Sequence, residues 1–307
     1  MALIPTFATP PGFLGIERRD PGAAFTIAGI PLDIGTTNRA GARDGPSAIR
    51  RASRMLVDGA HPHHWVEPAA SMDIADAGDF AIVLGDLAAS LAAIEAQAAP
   101  LRHLIALGGE HGITLPLLRA LRKRLGEPLG LLQFDSHLDT WPENFGQRLA
   151  HGSVFYHALD EGLVDPRRMV QLGIRSPMGR DVRDWTLARG VTIMMAQEAL
   201  EAGPAAVAER VRTVLGDGPA YLSFDIDALD PAFAPGTGTP EVGGFATWQV
   251  QAILRRLGGV RFAGMDVVEV APAHDVAEIT SLAAATVAWE YLALLGAGAG
   301  GGGKSAG

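Results

Sequence analysis

Two short stretches of the chain place several cation-binding side chains close together. One reads Asp135-Ser136-His137-Leu138-Asp139 and the other Asp225-Ile226-Asp227, while Gly108-Gly109-Glu110-His111 adds a further imidazole. Carboxylates and imidazoles gathered like this are costly to bury unless a cation neutralises them. As ligands His111 and His137 are neutral, whereas Asp135, Asp139, Asp225 and Asp227 each bring a negative charge. One divalent ion leaves the set with surplus negative charge; two divalent ions balance it. The count favours two metal ions that share carboxylates. Ligands rich in oxygen, with imidazole in the minority, suit manganese better than zinc.

Two adjacent divalent ions acidify a water molecule at neutral pH. That nucleophile suits a poor electrophile such as a guanidinium, whose charge is spread over its nitrogens. Attack creates a tetrahedral carbon, and the departing amine must then gain a proton. His151, in Leu149-Ala150-His151-Gly152-Ser153, follows the Asp139 loop closely enough to serve. Glu269, outside the ligand set, is suited to fix a guanidinium by paired hydrogen bonds.

These residues need elements to position them. Strand-length apolar runs span 25–32, 103–107, 129–134, 169–174, 191–195, 220–224 and 260–268. Helical periodicity covers 84–98, 113–125, 196–215, 247–257 and 277–295. Alternation of strand and helix predicts an α/β fold, a three-layer αβα arrangement around a mostly parallel sheet. His111, Asp135, Asp225 and Glu269 each fall just after a strand-like run, at the sheet edge where such folds bind ligands. In extended chain, residues two apart point the same way. Asp135 with His137, and Asp225 with Asp227, can therefore converge.

The 307 residues, 48% of them hydrophobic, can bury a large core, and no linker divides them. The expected organisation is one unit over 1–296 with a flexible glycine-rich tail over 297–307. A net charge of -9 argues against nucleic acid and anionic membrane surfaces and suits a cationic small substrate. The absence of cysteine excludes thiolate ligands and thiol nucleophiles. Met1–Pro11 has no basic region typical of a signal peptide, and the last apolar run reads as too short to span a membrane. A cytoplasmic location is the expectation.

The chain resembles the ureohydrolase family of arginases, agmatinases and related guanidino hydrolases. The resemblance rests on residues 41–46, 134–139, 151–152, 223–231, 235–241 and 268–272, spread over most of the chain. It implies an arginase-like fold and two metals, manganese foremost and nickel the alternative. By residue it implies His111, Asp135, Asp139 and Asp225 around one metal, and His137, Asp135, Asp225 and Asp227 around the other. It further implies His151 as proton shuttle, Glu269 as guanidinium grip, and a trimeric or hexameric homo-oligomer, with a paralogous partner subunit the alternative. Two positions depart from the pattern: Glu110 and Gly112 stand where aspartate and serine usually flank the first ligand histidine.

The substrate is less sharply drawn. The 141–148 loop lacks the Asn/Ser-rich character of arginases, whereas Phe155-Tyr156 and the 236–240 segment resemble agmatinases, so agmatine is favoured. Glu143 suits a distal ammonium. Arg148 suits a distal carboxylate, as in guanidinobutyrate or guanidinopropionate, though solvated loop charges are the simpler reading of both. Guanidine and biguanides are further alternatives. A one-metal deacetylase and a non-catalytic partner subunit are the rival classes. Glu241 reads as a loop-ordering residue. His61-Pro62-His63-His64 reads as a solvated loop, and the phosphate-loop look-alike at 298–305 as a tail, because no helix can follow it.

Overall fold

Runs of Leu, Ile, Val, Phe and Ala form eight strands in the computed structural model, which describes residues 12–300. They are β1 (Phe25–Ile30), β2 (Ile74–Asp79), β3 (Leu104–Gly108), β4 (Leu129–Phe134), β5 (Val164–Ile174), β6 (Thr192–Met195), β7 (Ala220–Asp225) and β8 (Phe262–Val268). Every pairing is parallel, in the order β2-β1-β3-β8-β7-β4-β5-β6. The sheet is thus wholly parallel, where a mostly parallel one was expected.

Both faces are covered. Leu132 and Phe134 enter one core, and Leu129 and Leu131 of the same strand enter the other, as period-two alternation requires. The first core packs against α1 (Gly45–Ala52), α7 (Ala196–Leu215), α8 (Thr247–Leu254) and α9 (Ile279–Gly300). The second packs against α3 (Leu87–Ala98), α4 (Thr114–Leu125) and α5 (Val154–Asp160), while α2 (Pro68–Ser71) lies beside α9 and α6 (Arg180–Ala188) links β5 to β6. The result is the three-layer α/β architecture.

Three expectations change. β2 was not expected, because Ala75, Asp76, Ala77 and Gly78 are weak strand formers; it sits at the sheet edge beside β1. The last helix is not too short to span a bilayer: α9 has 22 residues, and 279–298 meets the length and apolarity of a span. Two thirds of its most apolar 18-residue stretch is nevertheless buried inside the protein, and it carries the buried Glu290, as a core helix does. It also runs past 297 to Gly300, into the segment read as tail. The rest of that tail and Met1–Pro11 lie outside the described residues.

The β3-to-α4 turn shows how backbone geometry seats the site. Gly109 N–H donates to Ile30 O, and Glu110 N–H to Leu32 O. A Cβ on Gly109 would stand 2.1 Å from Leu32 O, so only glycine permits this approach of the two strand ends. His111 follows at once, in a single 3-10 turn (His111–Ile113) that leads into α4.

Candidate metal centre

The carboxyl ends of β3, β4, β7 and β8 bring His111, Asp135, Asp225 and Glu269 to one place, and the loops beyond add His137, Asp139, Asp227 and His151. His111 Nδ1 lies 3.2 Å from Asp135 Oδ2, 3.0 Å from Asp139 Oδ2 and 3.3 Å from Asp225 Oδ2. His137 Nδ1 lies 3.4 Å from Asp135 Oδ1 and 3.0 Å from Asp227 Oδ2. Asp135 therefore turns one oxygen to each histidine. Two groups of potential ligand atoms share it: His111, Asp135 and Asp139, and Asp135, His137 and Asp227, each within 4.8 Å.

A polar row beneath the cluster sets its protonation. Gln171, Gln133, Ser223 and Asp266 lie side by side across β5, β4, β7 and β8. Ser223 Oγ donates to Asp266 Oδ1 at 2.7 Å, so it accepts from His111 Nε2–H at 2.8 Å. Thr114 and Tyr221 hydroxyls occupy Asp266 Oδ2. In the neutral ring this places the proton on Nε2 and the lone pair on Nδ1. Burial lowers the ring's pKa, but Asp135, Asp139 and Asp225 raise it well above the usual value, so a proton or a metal ion is strongly drawn to Nδ1. That buried Nδ1 has no hydrogen-bond partner. A buried acceptor facing three carboxylates fits a cation and little else. Gln171 supports Gln133, which donates to Asp135 Oδ2 at 2.8 Å. Ser136 does the equivalent at Asp227 Oδ1, at 2.8 Å.

Each charge in the cluster feels its neighbours at close range. Burial pulls the His137 pKa down, but Asp227 and Asp135 raise it to about 12. Burial, then the charges of Asp227 and Asp135, push Asp225 well above the usual carboxylate range. Asp139 is raised by burial and by Asp135. Among the described residues no Lys or Arg lies within ion-pair distance of these four aspartates.

Glu269 and His151 form the second half of the site. Glu269 Oε1 accepts the His111 N–H at 2.7 Å and lies 2.9 Å from His151 Nδ1. Oε2 is buried and has no partner. The expected two-point grip on a guanidinium is thus reduced to one free oxygen, because His111 and His151 already use the other. Glu269 (φ 64°) and Asp139 (φ 50°) both hold the left-handed backbone that non-glycine residues avoid, a strain typical of functional sites. Burial lowers the His151 pKa, but Glu269 more than offsets this and raises it to about 9. His151 Nε2 faces the Thr37 N–H at 3.1 Å and the Thr37 hydroxyl at 2.8 Å. The N–H suits a neutral ring, and the hydroxyl can accept from a charged one, so Thr37 serves both states. Burial, followed by the charge of Glu269, raises Glu110 to about 8.

The sequence did not single out Ser223, Asp266, Gln133 or Thr37. The first three carried a signal: polar residues inside otherwise apolar strands, two or three positions before Asp225, Glu269 and Asp135. Thr37 carried none. Glu143 and Arg148 are exposed. Glu241 accepts from Ser176 and ties its loop to Arg175 through its carbonyl. The His61-Pro62-His63-His64 loop is solvated only in part: Pro62 and His63 are exposed, but His61 is fully buried against Trp289 and Glu290.

A wholly parallel α/β sheet with a carboxylate-rich cluster at its carboxyl edge defines an α/β protein with a candidate two-cation centre. The model of the Arginase family matches residues 23–293, and the chain belongs to that family. It is 42% identical over 277 residues to an agmatinase of Photorhabdus laumondii, covering 89% of this chain and 87% of that one. Among solved structures it is similar to a hypothetical agmatinase from Burkholderia thailandensis, with TM-score 0.89, 42% identity, and 95% and 92% of the two chains covered. It is also similar to proclavaminate amidino hydrolase from Streptomyces clavuligerus, with TM-score 0.90, 35% identity, and 96% and 100% covered.

Proposed function

We propose that the chain is an amidinohydrolase that converts agmatine and water to putrescine and urea, using two divalent cations, with manganese favoured over nickel. The agmatinase relative at 42% identity supports the substrate. The observation that carries the cation reading is Asp135, which offers one oxygen toward each histidine beside the unpartnered His111 Nδ1. His111, Asp135, Asp139 and Asp225 would hold one cation, and His137, Asp135, Asp225 and Asp227 the other. Once bound, the pair supplies an acidified water at neutral pH.

The chain's own residues do the rest. Glu269 Oε2 receives one N–H of the guanidinium, and its charge orients the carbon. Water adds to that carbon; as the bond to the alkyl nitrogen breaks, the added oxygen releases the proton that restores the donor, and the departing amine takes up a proton. His151 supplies it. Glu269, 2.9 Å from Nδ1, raises the ring's pKa to about 9 against the effect of burial and so favours the charged form that has a proton to give. Thr37 holds the ring in place before and after the transfer. The polar row under His111 keeps Nδ1 free throughout.

The proposal extends to a cytoplasmic homo-oligomer of trimeric or hexameric order, checked by light scattering. The enzyme reading is tested by loading the purified chain with manganese and, separately, nickel. Urea is then measured from agmatine, guanidinobutyrate, guanidinopropionate, arginine, guanidine and a biguanide. Agmatine should give the highest kcat/KM. Fastest turnover of a guanidino acid would move the substrate assignment to Arg148. No urea from any of them, with activity appearing only on adding a paralogous chain, would make this a partner subunit.

A further inference from the structure

Glu110 and Gly112 depart from the pattern that the chain otherwise resembles, and the metal cluster gives neither a task. The Glu110 side chain is fully buried. Its Oε2 accepts the Gly35 N–H at 2.7 Å. Gly35 in turn accepts the His151 N–H on its carbonyl oxygen at 3.3 Å. Two residues on, Thr37 meets His151 Nε2 with its N–H and its hydroxyl. One loop is thus pinned by Glu110 on one side and grips His151 on the other, at both backbone and ring.

The dimensions fit glutamate and glycine specifically. Shortening Glu110 by one methylene withdraws the carboxylate by about 1.5 Å. From 2.7 Å that places the acceptor beyond hydrogen-bond range of Gly35 N. The longer side chain also needs room. A Cβ on Gly35 would stand 2.6 Å from Glu110 Oε1, and one on Gly112 would stand 3.0 Å from the same atom. Aspartate would leave a gap at Gly35, and serine at 112 would crowd the glutamate. Both departures therefore have one cause.

We infer that Glu110 is a positioning residue, which holds the 35–37 loop through Gly35 so that Thr37 stays against His151 Nε2, with Gly112 as the small residue that makes room for it. This rests on the reading of His151 as proton carrier. Glu110 touches neither substrate nor reacting atoms; it acts through Gly35 and Thr37.

The test uses full-length, manganese-loaded protein with agmatine, and compares E110D, E110Q, G35A, T37A, E110D/T37A and H151N. Each variant is measured for kcat, KM, manganese per chain and thermal midpoint. E110D should lower kcat by about ten- to a hundred-fold with KM and manganese content little changed, as a small misplacement of a reacting group does. E110Q keeps an oxygen for the Gly35 N–H and should retain kcat within about three-fold of wild type. G35A crowds Glu110 without altering its charge and should reproduce the loss. E110D and T37A should be non-additive in kcat, because both act on one contact. Wild-type kcat in both E110D and G35A, or losses that track manganese or thermal midpoint, would overturn the inference, as would an E110Q loss equal to that of E110D. H151N separates the two levels: if it retains wild-type kcat, the proton-carrier reading fails and this inference with it. If H151N is inactive while E110D and G35A are unimpaired, only the role of Glu110 fails.

Discussion

The molecule buries two histidine–carboxylate assemblies, and they solve the same electrostatic problem differently. Beside α9, His61 Nε2 lies 2.9 Å from Glu290 Oε2, both side chains fully buried. Arg255 reaches across from the end of α8 and holds both Glu290 oxygens at 3.0 Å. Burial pushes the Glu290 pKa up, but His61 and Arg255 bring it below the usual range. His61 Nδ1 accepts the His63 and His64 N–H groups, and Nε2, which like His111 Nδ1 makes no well-aligned hydrogen bond, faces one carboxylate that Arg255 already neutralises. At the carboxyl edge, four aspartates face two imidazoles, with no arginine or lysine among the described residues at ion-pair distance, and His111 Nδ1 makes no hydrogen bond there. The first assembly is neutralised from within the protein; the second requires something from outside. Histidine density does not mark a metal site. Uncompensated carboxylate around a free imidazole lone pair does.

The contrast is easiest to break at Asp135. D135N removes the residue facing both histidines. It should lower kcat/KM for agmatine by roughly a thousand-fold or more, on the order of 4 kcal/mol in barrier, and lower bound manganese below one per chain. Initial-rate urea assays with metal analysis check both. An active D135N with full metal would show that the bridging aspartate is dispensable.

Next in size is R255A, which leaves Glu290 buried without its cation. The expected loss is about 3 kcal/mol of stability. Urea denaturation measures it, and manganese content should not change. Metal loss at constant stability would mean that the two assemblies are not independent.

S223A and D266N test the tautomer argument at His111. Either should weaken manganese binding about ten- to a hundred-fold while leaving the fold intact. Isothermal titration calorimetry with manganese reads this directly. Unchanged affinity would remove the polar row from the account.

The smallest effect is a pH dependence at α9. Glu290 has a lowered folded pKa, so its contribution is complete above the ordinary glutamate value and is lost as pH falls through the lower folded value. Thermal midpoints of wild type should therefore fall below about pH 4.5, and E290Q should show a shallower fall over that window. Parallel profiles would assign the acid sensitivity elsewhere.

The sequence was most legible where function packs residues at fixed short spacing. Asp135 with His137 and Asp225 with Asp227 are two apart at strand ends, so their convergence follows from extended geometry alone. The layering was equally legible, because parallel strands buried on both faces read as continuous apolar runs. β2 was invisible because Ile74–Asp79 is held by its neighbour β1 rather than by its own propensity. His61 was misread for a related reason. Its loop is polar in sequence, and the Glu290 and Arg255 that make burial tolerable lie far along the chain. Thr37 and Gly35 were invisible because their only marks are contacts made across the fold to His151 and Glu110. Glu269 was placed correctly at a strand end, but which of its oxygens is free depends on a backbone N–H that no spacing reveals.

The most direct test of the central claim is to locate manganese by anomalous diffraction in crystals of the manganese-loaded protein, with the metal content of the same sample measured in solution. The account predicts two sites per chain, both among His111, His137 and the four aspartates and sharing Asp135, and none beside His61 and Glu290. Fewer than one equivalent per chain, or a principal site at His61, would contradict it.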